Sequence, residues 1–183
     1  EGTVCPILLH SIDAKEQDGT DSAFLQDLCS TYALVIKVYT SKLWVYDREK
    51  YKAKDPVWTV YESRPVGNPT AMCVEPGSFK WNTKLTGTYT GGLYTYTNKE
   101  KGININVKVG TDERQLKLTG KVSSEADAKA RLIAAIKNAN HGATKLSFTM
   151  LGYPAGASAQ CFNLVGYGKM DGKYFVDQME HTI

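Results

Sequence analysis

The chain is poor in the residues that carry chemistry. Its 183 residues include four cysteines and three histidines. Cys5, Cys29, Cys73 and Cys161 form no CxxC pair, and His10, His141 and His181 are equally scattered. Structural zinc sites need close ligand pairs, so no metal site is expected. The spacing leaves one or two disulfides open. Reduced thiols are favoured, because Cys29 falls on the apolar face of a predicted helix and Cys161 opens an apolar strand, both places for a small buried hydrophobe. No run approaches the ~18 apolar residues of a membrane span. The chain starts at Glu1 with no Met, basic segment or apolar signal core, so a fragment or processed chain without a leader is expected. Net charge is only +3, too small to point to nucleic acid.

Catalytic patterns are missing as well. Gly166-Tyr167-Gly168 lacks the third glycine and following helix of a dinucleotide fingerprint, and the Gly-Lys-Ser/Thr of a phosphate loop. Ser158, in Gly156-Ala157-Ser158-Ala159-Gln160, lacks the closing glycine of a nucleophile elbow and precedes a strand rather than a helix. Glycoside hydrolysis needs two converging carboxylates. Glu62, Glu75, Glu125 and Glu180 are single acids in turns, caps or strand ends. His181 has no Ser, Cys or acid at a spacing that ties to it. No catalytic, cofactor or metal residue is therefore expected.

What the chain does have is strand material. Hydrophobic residues make up 42% and charged ones 22%, the balance of a soluble globular protein able to bury a core. Thr3 to Leu9 reads as a strand, and Lys15 to Asp21 as a polar loop. Ser22 to Tyr32 reads as a helix capped by Asp21 or Thr20, with Phe24, Leu25, Leu28, Cys29 and Tyr32 at helical spacing. Leu34–Tyr39 and Leu43–Tyr46 form a hairpin about Thr40-Ser41-Lys42, and Val57–Tyr61 another strand. Residues 63–78 hold three of the six prolines and mark a crossover.

Beyond it, strand residues run from Phe79 to Tyr96. Ile103 to Val109 alternates cleanly, with Asn104, Asn106 and Lys108 on a face that must be wet. Asp112-Glu113-Arg114 reads as a charged hairpin turn before the Leu116 and Leu118 strand. Ser124 to Asn140 is a helix capped by Ser124 with Asp127 three residues on, with a narrow face of Ala126, Ala130, Ile133 and Ile136, and stopped by His141-Gly142. Lys145–Met150, Cys161–Val165 and Tyr174–Met179 supply further strands, the last two joined through Gly166, Gly168 and an Asp171-Gly172 turn. The fold class is α+β, mainly β: a small β-α-β-β unit (residues 1–62), the crossover (63–78), and a β-barrel or sandwich with one flanking helix (79–183). The aromatics Trp44, Trp58, Trp81, Tyr89, Tyr94 and Tyr96 suit a core or subunit interface better than a sugar-stacking surface. Residues 1–62 carry seven Lys/Arg against ten Asp/Glu and the remainder fifteen against nine, so opposite signs are available to steer head-to-tail contacts.

The closing segment, Gly152-x-Pro154, Gly166-x-Gly168, Asp171-Gly172-x-Tyr174-x-Val176 and His181, resembles the end of the phage late-control-D and baseplate-hub family. The likeness continues upstream. Asp18-Gly-Thr-Asp21 followed by Ser22-Ala-Phe24-Leu25-Gln-Asp-Leu28-Cys29, then Leu34 to Val38, Leu43 to Asp47, Tyr51 and Pro56-Val57, resemble the middle region of Gram-positive prophage hub proteins. Ser78-Phe79, Lys84-Leu85, Tyr89 and the Ser124–Asn140 helix ahead of Thr149 and Gly152 keep the same order. The resemblance implies a virion structural protein with no cofactor, found in the phage tail or in the host bacterial cytoplasm during assembly. It implies a trimer whose tube-like β-domains link tail tube to spike, with the tail tube, the spike and other baseplate proteins as partners, and no nucleic-acid or membrane binding. It also implies that a first tube domain and a last strand after His181 are missing, leaving an open edge there. The alternatives are a tail-associated cell-wall hydrolase module and a carbohydrate-binding or adhesion module.

Overall fold

A computed structural model describes residues 16–182 apart from 18, 40, 99–101 and 154. The strand expected at Thr3–Leu9 lies outside the described residues. In chain order come helix α1 (Asp21–Thr31), strands β1 (Leu34–Tyr39) and β2 (Lys42–Asp47), and the short helix α2 (Arg48–Lys52). Next are β3 (Trp58–Tyr61), β4 (Met72–Cys73), β5 (Lys80–Thr83), β6 (Gly91–Asn98), β7 (Ile103–Gly110) and β8 (Gln115–Thr119). Helix α3 (Glu125–Asn140), β9 (Thr144–Ser147), β10 (Cys161–Val165) and β11 (Gly172–Phe175) complete the chain. The architecture is α+β and mainly strand. Among the described residues the strands form open sheets of two to four strands, so the barrel form of the expected second unit is not seen.

The chain groups into two compact units, each built from two stretches: residues 1–47 with 83–144, and residues 48–82 with 145–183. This grouping cuts across the consecutive units read from the sequence. Proline-rich residues 63–78 carry β4 and link β3 to β5 inside one unit rather than separating two.

In the first unit α1 starts where Thr20 Oγ1 accepts a hydrogen bond from the Ala23 N–H at 3.3 Å, satisfying one orphan donor of the first turn. It packs on β1, which pairs antiparallel with β2 in a hairpin that sets Val38 opposite Leu43 and Lys37 opposite Trp44. The larger sheet runs in the order β7-β6-β8. As the alternation demanded, Ile103, Ile105, Val107 and Val109 pack inward while Asn104, Asn106 and Lys108 are exposed. Helix α3 covers the inner face, capped where Ser124 Oγ accepts from the Asp127 N–H at 3.2 Å. Its buried row is Ala128 and Leu132, with Ile136 packed beside them. This corrects the expected face, since Ala126 is exposed. Leu132 is the larger apolar group, and Gly92 makes room for it: a Cβ there would stand 2.6 Å from Leu132 Cδ1. Full burial of one such side chain contributes roughly 1.5–3 kcal/mol.

Asp112-Glu113-Arg114 is not a hairpin turn, because β7 and β8 do not pair. They flank β6, one antiparallel and the other parallel to it, and residues 111–114 cross over its first residue. Thr90 organises the crossing. Its carbonyl accepts from the Thr111 N–H at 3.1 Å, its own N–H donates to the Arg114 carbonyl at 3.0 Å, and its hydroxyl meets Thr111 Oγ1 at 2.7 Å. The approach is so close that Gly110, at φ +75°, has no room for a Cβ: one would lie 2.7 Å from Gly91 Cα. Gly91 and Gly92 are therefore strand residues whose missing side chains permit a crossing and a helix contact.

In the second unit the sheet order is β11-β10-β3-β4. β10 and β3 run parallel with Phe162 opposite Trp58, and β11 is antiparallel to β10. Trp58, Val60, Val74, Phe162, Leu164 and Val176 form the core, with the Trp58 and Phe162 rings stacked at 4.9 Å between centroids. β5 pairs with β9; the chain leaves the unit at the end of one and returns at the start of the other.

Candidate functional site

The residues singled out in the closing segment fall into three places. Gly166 (φ +106°) and Gly168 (φ +65°) take left-handed conformations after β10, and a Cβ on Gly166 would meet Glu62 Cβ at 2.9 Å. The reversal itself is a 3-10 turn, Gly168–Met170. Asp171 is not a turn residue: its backbone is extended, and its carboxylate accepts from the Tyr167 N–H at 2.6 Å. Gly172 already belongs to β11. The Tyr174 hydroxyl donates to the Met170 carbonyl at 2.7 Å, and its ring packs on Phe162. Gly166, Gly168, Asp171, Gly172 and Tyr174 thus build one connection. Val176 is a buried core residue, its N–H donating to the Gln160 carbonyl at 2.9 Å. His181 stands apart, with Nε2 3.0 Å from the Gly156 carbonyl oxygen. Gly152 is exposed, and Pro154 lies outside the described residues.

The groups weighed for catalysis are dispersed. Glu62 follows β3, Glu75 follows β4, Glu125 opens α3 and Glu180 follows β11, all exposed. Ser158 is followed by Ala159 at φ +66° and then by β10, so the strand-then-helix setting of an elbow does not exist there. Among the described residues no cluster of three or more His, Cys, Asp or Glu side chains is suited to a metal, and no helix is long and apolar enough to cross a membrane. One open depression of about 180 Å³ lies beside β4, lined by Arg64, Met72, Cys73 and Leu151 among others. Ligand pockets ordinarily measure ~300–1,000 Å³.

The most organised polar cluster is one the sequence showed only as a helix cap. Asp127, fully buried, accepts a hydrogen bond from the Tyr32 hydroxyl at 3.0 Å and meets Arg131 two-pronged, at 3.0 Å from Nε and 2.9 Å from Nη2. Burial pushes the Tyr32 hydroxyl above its ordinary range, and the bond to Asp127 and its charge add to that. Burial works to lower Arg131, but the hydrogen bond and charge of Asp127 outweigh it and leave the guanidinium raised. The cluster ties the end of α1 to the start of α3. Its hydrogen bonds and ion pair hold the two helices together. The i,i+4 spacing of Asp127 and Arg131 was the available signal; Tyr32, distant in sequence, had none.

A second feature is apolar and uncovered. At the tip of the β1–β2 hairpin Val38 is 75%, Leu43 54% and Trp44 50% exposed. Paired residues share a face of a hairpin, so Val38 and Leu43 lie on one side and Trp44 with Lys37 on the other.

No protein-family model and no curated protein matches the chain. Solved structures do. The 43 kDa tail protein of prophage MuSo2 from Shewanella oneidensis matches with a TM-score of 0.61 at 13% identity, over 87% of this chain and 49% of that one. A tail protein from Neisseria meningitidis MC58 matches with a TM-score of 0.58 at 13% identity, over 82% of this chain and 47% of that one. The chain spans about half the length of both. Its fold is one that these tail proteins share.

Proposed function

We propose that the chain is a structural part of a phage or prophage tail, acting by assembly rather than catalysis. The observation that carries this reading is the likeness of fold to two tail proteins across more than four-fifths of the chain. The surface supports it. An apolar hairpin tip is exposed, while among the described residues the carboxylates and free cysteines form no cluster suited to a metal. Large uncovered apolar side chains are the ordinary mark of an interaction surface.

The finer reading is a baseplate hub of the late-control-D type, trimeric, joining tail tube to spike and located in the virion. The order of motifs from Asp18 to His181 supports it. In that setting the outer face of β7-β6-β8, with Thr95, Thr97, Asn104, Asn106, Lys108, Lys117 and Thr119, suits the wet wall of a ring. Gly166 to Tyr174, with Gly152, Pro154, Val176 and His181, then serve as structural residues that shape the closing strands. The partners are other copies and neighbouring tail proteins.

The test is genetic and visual. Deleting the gene from an inducible prophage and imaging the particles by electron microscopy is expected to show tails arrested at the baseplate, restored by the gene in trans. Complete, infective particles without the protein sink the proposal. Sustained release of muropeptides from purified peptidoglycan by the chain would replace it with a hydrolase.

A further inference from the structure

Two tripeptides of this chain differ only in their first residue, and that residue differs in charge. Asp55-Pro56-Val57 leads into β3 and Arg64-Pro65-Val66 follows it; the sequence holds no other Pro-Val pair. Both charged residues and both valines are exposed. Among the exposed large apolar residues, Val57 alone has an acid within two positions, and Val66 alone has an arginine. Neither Asp55 nor Arg64 makes an ion pair with a described residue. The charges near them are engaged. Lys52 pairs with Glu49 at 3.0 Å, Lys54 Nζ lies 3.7 Å over the Tyr51 ring, and Arg48 meets Asp177 at 3.8 Å. Lys50 has a partner as well. Glu62 is turned to Gly166, its Oε2 3.5 Å from where a Cβ would stand. Asp55 and Arg64 are the charges left over at the two ends of β3.

The backbone presents both. Proline fixes its own φ and restricts the residue before it, so little freedom is lost on binding. The Asn68 N–H donates to the Pro65 carbonyl at 3.2 Å and Gly67 takes φ +83°, a turn with Val66 at its corner. Arg64 also lines the depression beside β4, together with the exposed Leu151. On the other tripeptide the Val57 N–H is held by the Cys161 carbonyl at 2.9 Å. The four residues of β3, at ~3.3 Å each, keep the tripeptides roughly 13 Å apart, so they do not meet within one chain.

We propose that Asp55-Pro56-Val57 of one copy docks on Arg64-Pro65-Val66 of a second, with Asp55 pairing to Arg64 and Val57 packing on Val66 and Leu151. The inference rests on the assembly reading and names a contact within it. Charge sets the pairing, since Asp55 against Asp55 and Arg64 against Arg64 both repel. Different patches meet, so the contact is heterologous and leaves each copy an unused end for the next. Two tripeptides make a small contact, weak alone; closure of a ring strengthens it because the last contact forms within one assembly.

The experiment is sedimentation velocity on the 183-residue chain across a concentration series, at low and high salt. The parent is expected to associate, and less so at high salt. Asp55→Arg and Arg64→Asp should each weaken association by about tenfold or more, because each sets like charges against one another. Two recoveries are then expected. The double variant, Asp55→Arg with Arg64→Asp, restores the pairing with its signs exchanged. An equal mixture of the two single variants associates better than either alone, since the copies can alternate. Val66→Ser tests the apolar part and should weaken association about threefold or more. Circular dichroism confirms that each variant is folded, and Val66→Ser, at a fully exposed position, serves where a charge variant is not. A parent that stays monomeric at every concentration overturns the proposal. So do single variants that associate as the parent does, or a double variant and a mixture that recover nothing; association then runs through another surface and the assembly reading stands. The particle phenotype above tests that reading separately.

Discussion

Asp127 shows how much one side chain decides. A buried carboxylate without partners is costly, so its hydrogen bond from Tyr32 and its pairing with Arg131 are what make its position tenable. Asp127→Ala is expected to destabilise the chain by about 2–3 kcal/mol in urea unfolding, below the ~3–5 kcal/mol of a fully buried pair because the Arg131 side chain is 32% exposed. Tyr32→Phe, which leaves the ion pair, should cost only about 1 kcal/mol. The tyrosine also sets a pH dependence. Its hydroxyl is raised in the folded state, so on alkalinisation the unfolded chain loses that proton first. Stability from this group is complete below the unfolded value of about 10 and is lost as pH rises through the folded one. Unfolding midpoints should fall above about pH 10 and fall less steeply in Tyr32→Phe. Tyr94, Tyr167 and Tyr174 are also raised, chiefly by burial, so the slope should not vanish.

At the scale of elements, what was legible was local. The alternation of Ile103 to Val109 and the Ser124 cap with its Gly142 stop are written within single segments, and β7 and α3 follow them closely. The start of α1, read as capped by Asp21 or Thr20, and the Cys161–Val165 strand were legible for the same reason. The crossing of residues 111–114 over Thr90 was not, because a charged tetrapeptide between strands looks the same whether the strands pair or flank a third. Its trace was Gly110 just before it and Gly91 at the start of the strand it crosses. Gly110→Ala should therefore cost well over 1 kcal/mol, since it combines a left-handed backbone with a clash against Gly91, while Gly102→Ala, also left-handed at φ +62° but with nothing within 4 Å, should cost about 1 kcal/mol. Thermal melts of the two variants side by side test the difference. Helix α2 went unread because five residues of Arg, Glu, Lys and Tyr carry no apolar period.

For the whole molecule, the division into interleaved units was out of reach of sequence reading, because the parallel pairing of β3 with β10 joins residues that share no local pattern. It leads to a test. A fragment of residues 79–183 lacks Trp58 and Val60 and should fail to give a dispersed NMR spectrum. Residues 48–82 joined to 145–183 by a short Gly-Ser linker should give one, since the Lys84 N–H donates to the Ala143 carbonyl at 2.6 Å and the ends to be joined are neighbours. The reverse outcome would show that the contact grouping is not a folding unit.

The pairing of β3 with β10 has a consequence in time. A ribosome delivers Trp58 about a hundred residues before Phe162, which at ~5–20 residues per second is a wait of several seconds. During it Trp58 lacks Phe162 and β3 has only the two-residue β4 beside it, while residues 83–144 emerge with a sheet and helix that can close on themselves. Synthesis therefore favours the inserted part of the chain first, and leaves the nascent β3 exposed to wrong partners until residues 145–183 arrive. The shortness of β3, four residues, limits the unpaired edge it offers in that interval.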